Sequence, residues 1–147
     1  MSTQNALSDA PVLTTDPSAR PSRWTTRLGW GFTVLPCLMV LAAGLRKLPG
    51  TVPEEIIQGM KHLGVDPGLA RTIGVIELAV VVFCLVPRTA FIGAILFTGW
   101  AGGAIMAHFR VGEPVYVQTA LAIATWVGLG LRRPAEFASL LGVKRAA

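Results

Sequence analysis

Glu77 and His108 are the two residues of this sequence best suited to proton-transfer chemistry. Glu77 lies inside an apolar segment, roughly Leu69 to Pro87, that is long enough to cross a membrane. A carboxylate within a membrane is energetically costly and therefore marks a functional site by default. His108 closes the next apolar segment, and an imidazole exchanges protons near neutral pH. The pair would serve general acid/base catalysis or a proton-coupled binding site.

Four further polar residues are predicted to contact a ligand in a pocket with Glu77 and His108. Lys47 and Arg110 would supply positive charge. Tyr116 and Gln118 would each offer at most one hydrogen bond to a ligand, because they fall on opposite faces of one helix. A structural interpretation competes with the functional one: Glu77 would be ion-paired with Lys47 or Arg110 and would only lock the helices together.

The two cysteines, Cys37 and Cys84, do not indicate thiol chemistry or a metal site. They lie in different apolar runs, and the sequence contains no CxxC motif and no metal-ligand spacing. Their estimated depths in the membrane differ by about 9 Å, which is beyond the reach of a disulfide. We therefore predict two small core residues, no bound metal, and no cofactor that the residues themselves make evident.

Four apolar runs have the length of membrane-spanning helices, about 20 residues each. They are Leu28–Leu45, Leu69–Val86, Thr89–Phe109 and Val115–Leu131. Membrane spans must satisfy their own backbone hydrogen bonds, which favours helices. The later runs are joined by short connections, so successive helices should be antiparallel neighbours. The predicted fold is an all-α integral membrane protein, a four-helix up-down bundle.

Composition supports one integral membrane domain rather than a soluble globule. Hydrophobic residues make up 52% of the chain and charged residues only 14%. The basic residues lie mostly in tails and short loops, so the net charge of +5 does not indicate a nucleic-acid partner. More of them fall on the side of the termini, which predicts that both termini are cytoplasmic.

The predicted organisation is a membrane domain between two tails. Residues 1–23 are rich in Ser, Thr, Asp, Pro and Ala and lack the apolar stretch of a secretory signal, so we expect a disordered cytoplasmic tail. Residues 24–133 form the four-helix transmembrane domain. Residues 134–147 form a second cytoplasmic tail.

The first outer loop, Leu48–Gly68, is predicted to contain a short amphipathic helix. Glu54 and Glu55 stand at the positive end of its dipole. Ile56, Ile57, Met60 and Leu63 form one apolar stripe. Such a helix would be either a lid over the mouth of the bundle or a simple interfacial connector.

Small residues at four-residue spacing predict close helix packing. Gly99 and Gly103 form a GxxxG pair, and Ala120, Ala124 and Gly128 repeat the spacing in the last span. Such residues let the backbones of two membrane helices approach closely. They indicate how the helices associate rather than a chemical activity.

Three sequence motifs resemble a known family. They are GLRKL at Gly44–Leu48, GVIEL at Gly74–Leu78, and GGAIMAHFRVG at Gly102–Gly112. Over about Leu28 to Arg133 the chain resembles the DoxX-like family of small four-helix bacterial membrane proteins. The combination of the glutamate in the second span with the His-x-Arg-x-Gly end of the third makes the resemblance specific.

The resemblance implies a bacterial inner-membrane location and a link to redox proteins. Some relatives are subunits of a thiosulfate:quinone oxidoreductase, others accompany redox-defence proteins, and distant eukaryotic relatives are assembly chaperones for membrane receptors. The arrangement is also similar to that of vitamin K epoxide reductase, but the paired cysteines of that enzyme have no counterpart here. The cofactor class that the resemblance suggests is a quinone.

We therefore predict binding of an amphiphilic small molecule, of quinone or isoprenoid type, in a polar pocket in the outer half of the bundle. Glu77 and His108 would handle protons there, and Lys47, Arg110, Tyr116 and Gln118 would contact the ligand. Whether the protein also transforms that molecule by acid/base chemistry stays open at this point. The alternative is a non-catalytic accessory subunit or assembly factor that docks another membrane protein or a second copy of itself.

Overall fold

All regular secondary structure in the described part of the chain is helical, as the sequence predicts. The computed structural model describes residues 22–48, 50 and 52–140. Its α-helices are α1 (Arg23–Leu45), α2 (Glu54–His62), α3 (Ala70–Leu85), α4 (Ala90–Arg110), α5 (Tyr116–Arg132) and α6 (Pro134–Leu140), with one 3-10 turn at Pro67–Leu69.

Most of the first predicted tail and half of the second lie outside the described residues. The described parts of both tails belong to helices or to a helix cap. Of the first, residues 1–23, only Ser22 and Arg23 are described: Ser22 caps α1 by accepting a hydrogen bond from the Thr25 backbone amide, and Arg23 begins the helix. Of the second, 134–147, the described part is the short helix α6. Residues 141–147 lie outside the described chain.

Three helical segments are long and apolar enough to cross a membrane. They are Arg23–Leu45, Pro67–Leu85, which joins the 3-10 turn to α3, and Ala90–Arg110. The predicted fourth span corresponds to α5, which has 17 residues and is therefore shorter than these three segments. A crossing by α5 stays a prediction.

The four long helices pack side by side in a ring. Both α1 and α4 contact α3 and α5. Gly44 near the end of α1 faces Gly74 near the start of α3, and Gly29 near the start of α1 faces Gly128 near the end of α5. In both of these pairs the helices are therefore antiparallel. The ring has one end at which α1 begins and α5 ends, and an opposite end that carries α2, called the α2 end below.

Close helix approach depends on glycines other than the predicted GxxxG pair. A Cβ atom on Gly93 would lie 2.4 Å from the Cys84 backbone nitrogen, and one on Gly128 would lie 2.8 Å from the Gly29 oxygen. A Cβ atom on Gly99 or Gly103 would meet no described atom within 4 Å. The prediction that this pair brings helices of the chain together is therefore wrong for the described structure.

The two cysteines lie together in the core, which corrects the predicted separation in depth. Cys37 and Cys84 are each 1% exposed, belong to one apolar cluster and interact through their thiols. The estimate failed because α1 has 23 residues and α3 only 16, so the end of α3 meets the middle of α1. Both cysteines are free and serve as small core residues.

Candidate functional site

A cavity of about 570 Å³ lies between the four long helices at the α2 end. Its wall is apolar except for Lys47, Glu77, His108, Gln118 and the indole of Trp100. Trp100 is held against the core by an edge-to-face contact with Phe97, with ring centroids 5.4 Å apart. The size and the few convergent polar groups are those of a small-molecule site.

The helix α2 and the turn after it cover this cavity. Met60, Leu63 and Val65 line it, and Met60 is only 7% exposed. Gly64, with φ of 68°, ends α2 in a Schellman motif, in which the Val65 amide donates to the Met60 carbonyl at 2.8 Å. This turn folds Val65 back beside Met60. Of the two interpretations left open by the sequence, the contacts favour a lid over a simple connector.

Five of the residues that line the cavity are themselves exposed. They are Met39 on α1, Ile76 on α3, Gly99 and Gly103 on α4, and Val117 on α5. All five belong to the long helices rather than to α2 or its turn. The cavity therefore reaches the surface laterally, between helices.

Lys47 and Glu77 form a buried ion pair within the cavity wall. The Lys47 ammonium donates to both carboxylate oxygens of Glu77, at 2.6 and 2.7 Å. The side chains are 14% and 3% exposed. Of the two cations considered as partners of Glu77, the structure selects Lys47 rather than Arg110.

Two glycines make this ion pair possible. A Cβ atom on Gly74 would lie 3.0 Å from the Lys47 Cβ, and one on Gly44 would lie 3.1 Å from the Glu77 Cβ. The absence of side chains at these positions lets the end of α1 lie directly against the start of α3. The GLRKL and GVIEL motifs thus form one structural unit, each contributing one glycine and one member of the ion pair.

A second charged cluster joins the lid to the cavity wall. Gly112, with φ of 75°, ends α4 in another Schellman motif, in which the Glu113 amide donates to the His108 carbonyl at 3.1 Å. This turn places the Glu113 carboxylate beside the His108 ring, with Oε2 2.6 Å from Nδ1. Its other oxygen, Oε1, is 2.9 Å from Nε2 of His62, the last residue of α2.

The charge state of this cluster follows from its hydrogen bonds. The bond with His108, and then the bond and charge of His62, lower the pKa of Glu113 below its ordinary value of 4.5. The carboxylate is therefore ionised at neutral pH. Because the folded-state pKa is lowered, the stabilisation from this carboxylate is present above about pH 4.5 and is lost as the pH falls through the lower folded-state value.

The structure brings four of the six predicted site residues to one cavity: Glu77, His108, Lys47 and Gln118. The other two lie elsewhere. Tyr116 is 79% exposed, and the Arg110 guanidinium lies beside Gly64 in the turn after α2.

Glu77 and His108 share the cavity, but the structure gives each a different partner. In the described part of the chain, the side-chain hydrogen bonds of Glu77 and His108 run to Lys47 and to Glu113, respectively, and not to each other. The acid/base pair expected from the sequence is therefore replaced by a lysine–glutamate pair and a histidine–glutamate pair.

Sequence reasoning missed Glu113 and His62. A signal for Glu113 was present, because a glycine four residues after His108 is the usual C-terminal cap, and such a cap folds the next residue back over the helix end. No comparable signal existed for His62. Its role depends on where the lid lies, which the local sequence does not determine.

Replacing Glu113 with alanine is expected to loosen the lid. The pairs it makes are solvent-accessible, so the effect should be small: hydrogen exchange of the α2 amides should speed up by at most about fivefold. Lys61→Ala, at an exposed position on α2, is the matched control and should leave exchange unchanged. Equal exchange in wild type and Glu113→Ala would show that this cluster does not hold the lid.

Comparison with known proteins found a family whose model matches the chain. No curated protein and no solved structure matches the chain. A family model described as the DoxX-like family matches residues 31–141, which is most of the sequence. Together with the three apolar helices, this match identifies the chain as a membrane protein of the DoxX-like family.

Proposed function

We propose that this protein binds an amphiphilic small molecule in the cavity beneath α2. The observation that carries the proposal is the cavity itself, which is apolar, covered by the lid and open laterally at exposed positions on the helices. In a membrane those openings face the lipid. A ligand with a long apolar chain would therefore enter from the bilayer.

The proposal includes a specific membrane arrangement. The helices α1, α3, α4 and α5 form an up-down bundle that crosses the bilayer four times. The α2 end faces outward, and both termini are in the cytoplasm. The excess of basic residues on the side of the termini supports this orientation. A bacterial inner membrane is the setting that the family resemblance suggests.

The polar residues support a fixed orientation of the ligand. His108 lies at the α2 end of α4 and Lys47 lies just after the end of α1, whereas Gly99 and Met39 line the cavity farther along these helices. His108 and Gly99 are separated by about 13 Å at ~1.5 Å per residue. A head group beside the polar residues and a chain running past Gly99 would match this division. Quinones and isoprenoids have this form, and the oxidoreductase-associated setting rests on the family resemblance.

If the ligand is also transformed, His108 is the better candidate for acid/base chemistry. Its ring is oriented by the Glu113 carboxylate, as a catalytic base commonly is by a third group. Glu77 differs, because both its oxygens already accept hydrogen bonds from Lys47. We assign Glu77 a role in holding α1 against α3 and in shaping the polar end of the cavity.

Two adjacent glycines of α4 allow a matched test. Gly103 lines the cavity, whereas Gly102 is exposed, meets no described atom within 4 Å and is not part of the lining. Mass spectrometry of small molecules extracted from protein purified in mild detergent should find a stoichiometric compound in wild type and in Gly102→Leu. Gly103→Leu should lose it, because leucine would fill the cavity. Retention of the compound by Gly103→Leu would contradict the proposal.

A second candidate function is that of an accessory subunit or assembly factor. The observation favouring it is the open small-residue surface at Gly99, Gly102 and Gly103, on which a partner helix could pack. This reading predicts that both leucine variants remove a copurifying membrane protein. The ligand-binding proposal predicts that only Gly103→Leu has an effect.

A further inference from the structure

The Arg132 guanidinium at the end of α5 is held in position by contacts with two helices. Its Nε donates to the Gly128 carbonyl at 3.3 Å, and its Cζ lies 4.3 Å from the centre of the Trp30 ring on α1. The stem of the side chain crosses α1 at Gly29, where a Cβ atom would lie 2.7 Å from the Arg132 Cγ. The bond, the ring contact and the packed stem together orient the guanidinium in the absence of a ligand.

The two terminal nitrogens of this guanidinium are unused. Nη1 and Nη2 of Arg132 have no hydrogen-bond partner among the described residues. They are also accessible, because the one buried side-chain oxygen or nitrogen without a partner in the described chain is Gln118 Oε1. The neighbouring Arg133 differs, since it pairs with Glu136. An oriented guanidinium with two free terminal nitrogens matches a phosphate group, which accepts two parallel hydrogen bonds.

The surroundings of Arg132 are basic. At the end where α1 begins and α5 ends, the described residues include one acid, Glu136, and five arginines. The arginines are Arg23, Arg27, Arg88, Arg132 and Arg133. Arg23 and Arg27 precede Trp30 by seven and three residues, so they lie on the same side of α1 as the ring that Arg132 contacts. Three guanidinium groups therefore lie around one indole.

We propose that Arg132 and Trp30 bind the phosphate of an anionic phospholipid, such as phosphatidylglycerol, with Arg23 and Arg27 adding positive charge. The proposal uses the membrane arrangement given above and does not depend on a ligand in the cavity. Tryptophan is favoured at the depth of the lipid head groups, and basic sites between membrane helices bind anionic head groups there. An excess of arginine alone would set the orientation in the membrane, but it would not require an oriented guanidinium.

Two lipids with the same acyl chains test this proposal. The full-length protein in mild detergent is titrated with phosphatidylglycerol or with phosphatidylcholine, and bound lipid is measured by native mass spectrometry. Both lipids contain a phosphodiester, but only phosphatidylglycerol carries a net negative charge. Wild type should bind phosphatidylglycerol about tenfold more tightly, which is the effect of one charge-assisted hydrogen-bonding pair.

Three variants locate the preference. Arg132→Gln should lower the ratio to about two or less, because the charged donors are lost while a Cγ remains to pack on Gly29. Arg132→Lys keeps the charge and should also lose most of the preference, because an ammonium has neither the two parallel donors nor the planar group over Trp30. Arg88→Gln is the matched control. It removes one positive charge at the same end, in the turn between α3 and α4, and should keep the preference.

Several outcomes would overturn the proposal. They are equal affinity of wild type for the two lipids, a preference that persists in Arg132→Gln, and an equal loss of preference in Arg88→Gln, which would indicate net charge alone. Displacement of the lipid by inorganic phosphate at the same concentration would overturn the assignment to a lipid. If Arg132→Gln has a lowered melting temperature, the comparison uses Arg132→Lys, and full retention of the preference there would contradict the proposal. None of these results depends on the cavity, which the Gly103→Leu variant tests separately.

Discussion

Replacing Glu77 with leucine is expected to lower the free energy of unfolding by about 3–5 kcal/mol, because it leaves a buried ammonium without its partner. Lys47 is 14% exposed and directs its hydrogen bonds to the two Glu77 oxygens. The same reasoning predicts a rescue. In the double variant Lys47→Met with Glu77→Leu, both charges are removed, and most of the lost stability should return.

Unfolding in mixed micelles with increasing denaturing detergent would measure these differences. Glu55→Leu is a suitable control, because it breaks the exposed ion pair between Arg46 and Glu55 and should cost less than about 1 kcal/mol. A loss below about 1 kcal/mol in Glu77→Leu would contradict a buried ion pair. So would a double variant that is as unstable as Glu77→Leu alone.

Adding one methyl group at Gly93 is expected to destabilise the protein by about 1–3 kcal/mol. The new Cβ would lie 2.4 Å from the Cys84 backbone nitrogen and 2.5 Å from the Phe83 backbone carbon. Backbone atoms cannot turn away as a flexible side chain can, so α3 and α4 would have to separate. This separation would also disturb the apolar cluster around Cys84 and Phe97.

Gly99→Ala is the matched control, since Gly99 is on the same helix and faces open space. Alanine is favoured over glycine in a helix by about 1 kcal/mol, so this variant should be as stable as wild type or slightly more stable. The same micelle titration would measure both variants. Similar stabilities for Gly93→Ala and Gly99→Ala would mean that α3 and α4 do not meet as described.

The sequence predicts the helices better than it predicts their contacts. The apolar runs locate α1, α3, α4 and α5 to within a few residues, because a long apolar run predicts a helix whatever that helix packs against. The face that each helix turns to its neighbours is not constrained in this way. Gly99 and Gly103 have the right spacing for helix packing but face open space, while the isolated Gly93 makes the tight contact.

At the candidate site, too, the sequence predicts the residues better than it predicts their contacts. Lys47 as a partner of Glu77 follows from their predicted positions near one membrane surface, and the sequence already offered it as one of two choices. The partner of His108 depends instead on how α4 ends. The turn at Gly112 folds Glu113 back over His108, which separates the histidine from Glu77. His62 reaches Glu113 only because α2 lies over the cavity.

Two Schellman turns, at Gly64 and Gly112, end α2 and α4, and His62 and His108 lie in the last turns of these helices. Glu113 bridges these two histidines. One carboxylate thus links α2 to His108 in the cavity wall.

The most direct test of the account is the small-molecule content of the purified protein, compared between wild type and Gly103→Leu. The account predicts a stoichiometric amphiphilic compound in wild type that is lost when leucine fills the cavity and retained when leucine stands at Gly102. Wild-type protein without any specific compound, or a compound that Gly103→Leu retains fully, would contradict the claim that this cavity is a ligand-binding site.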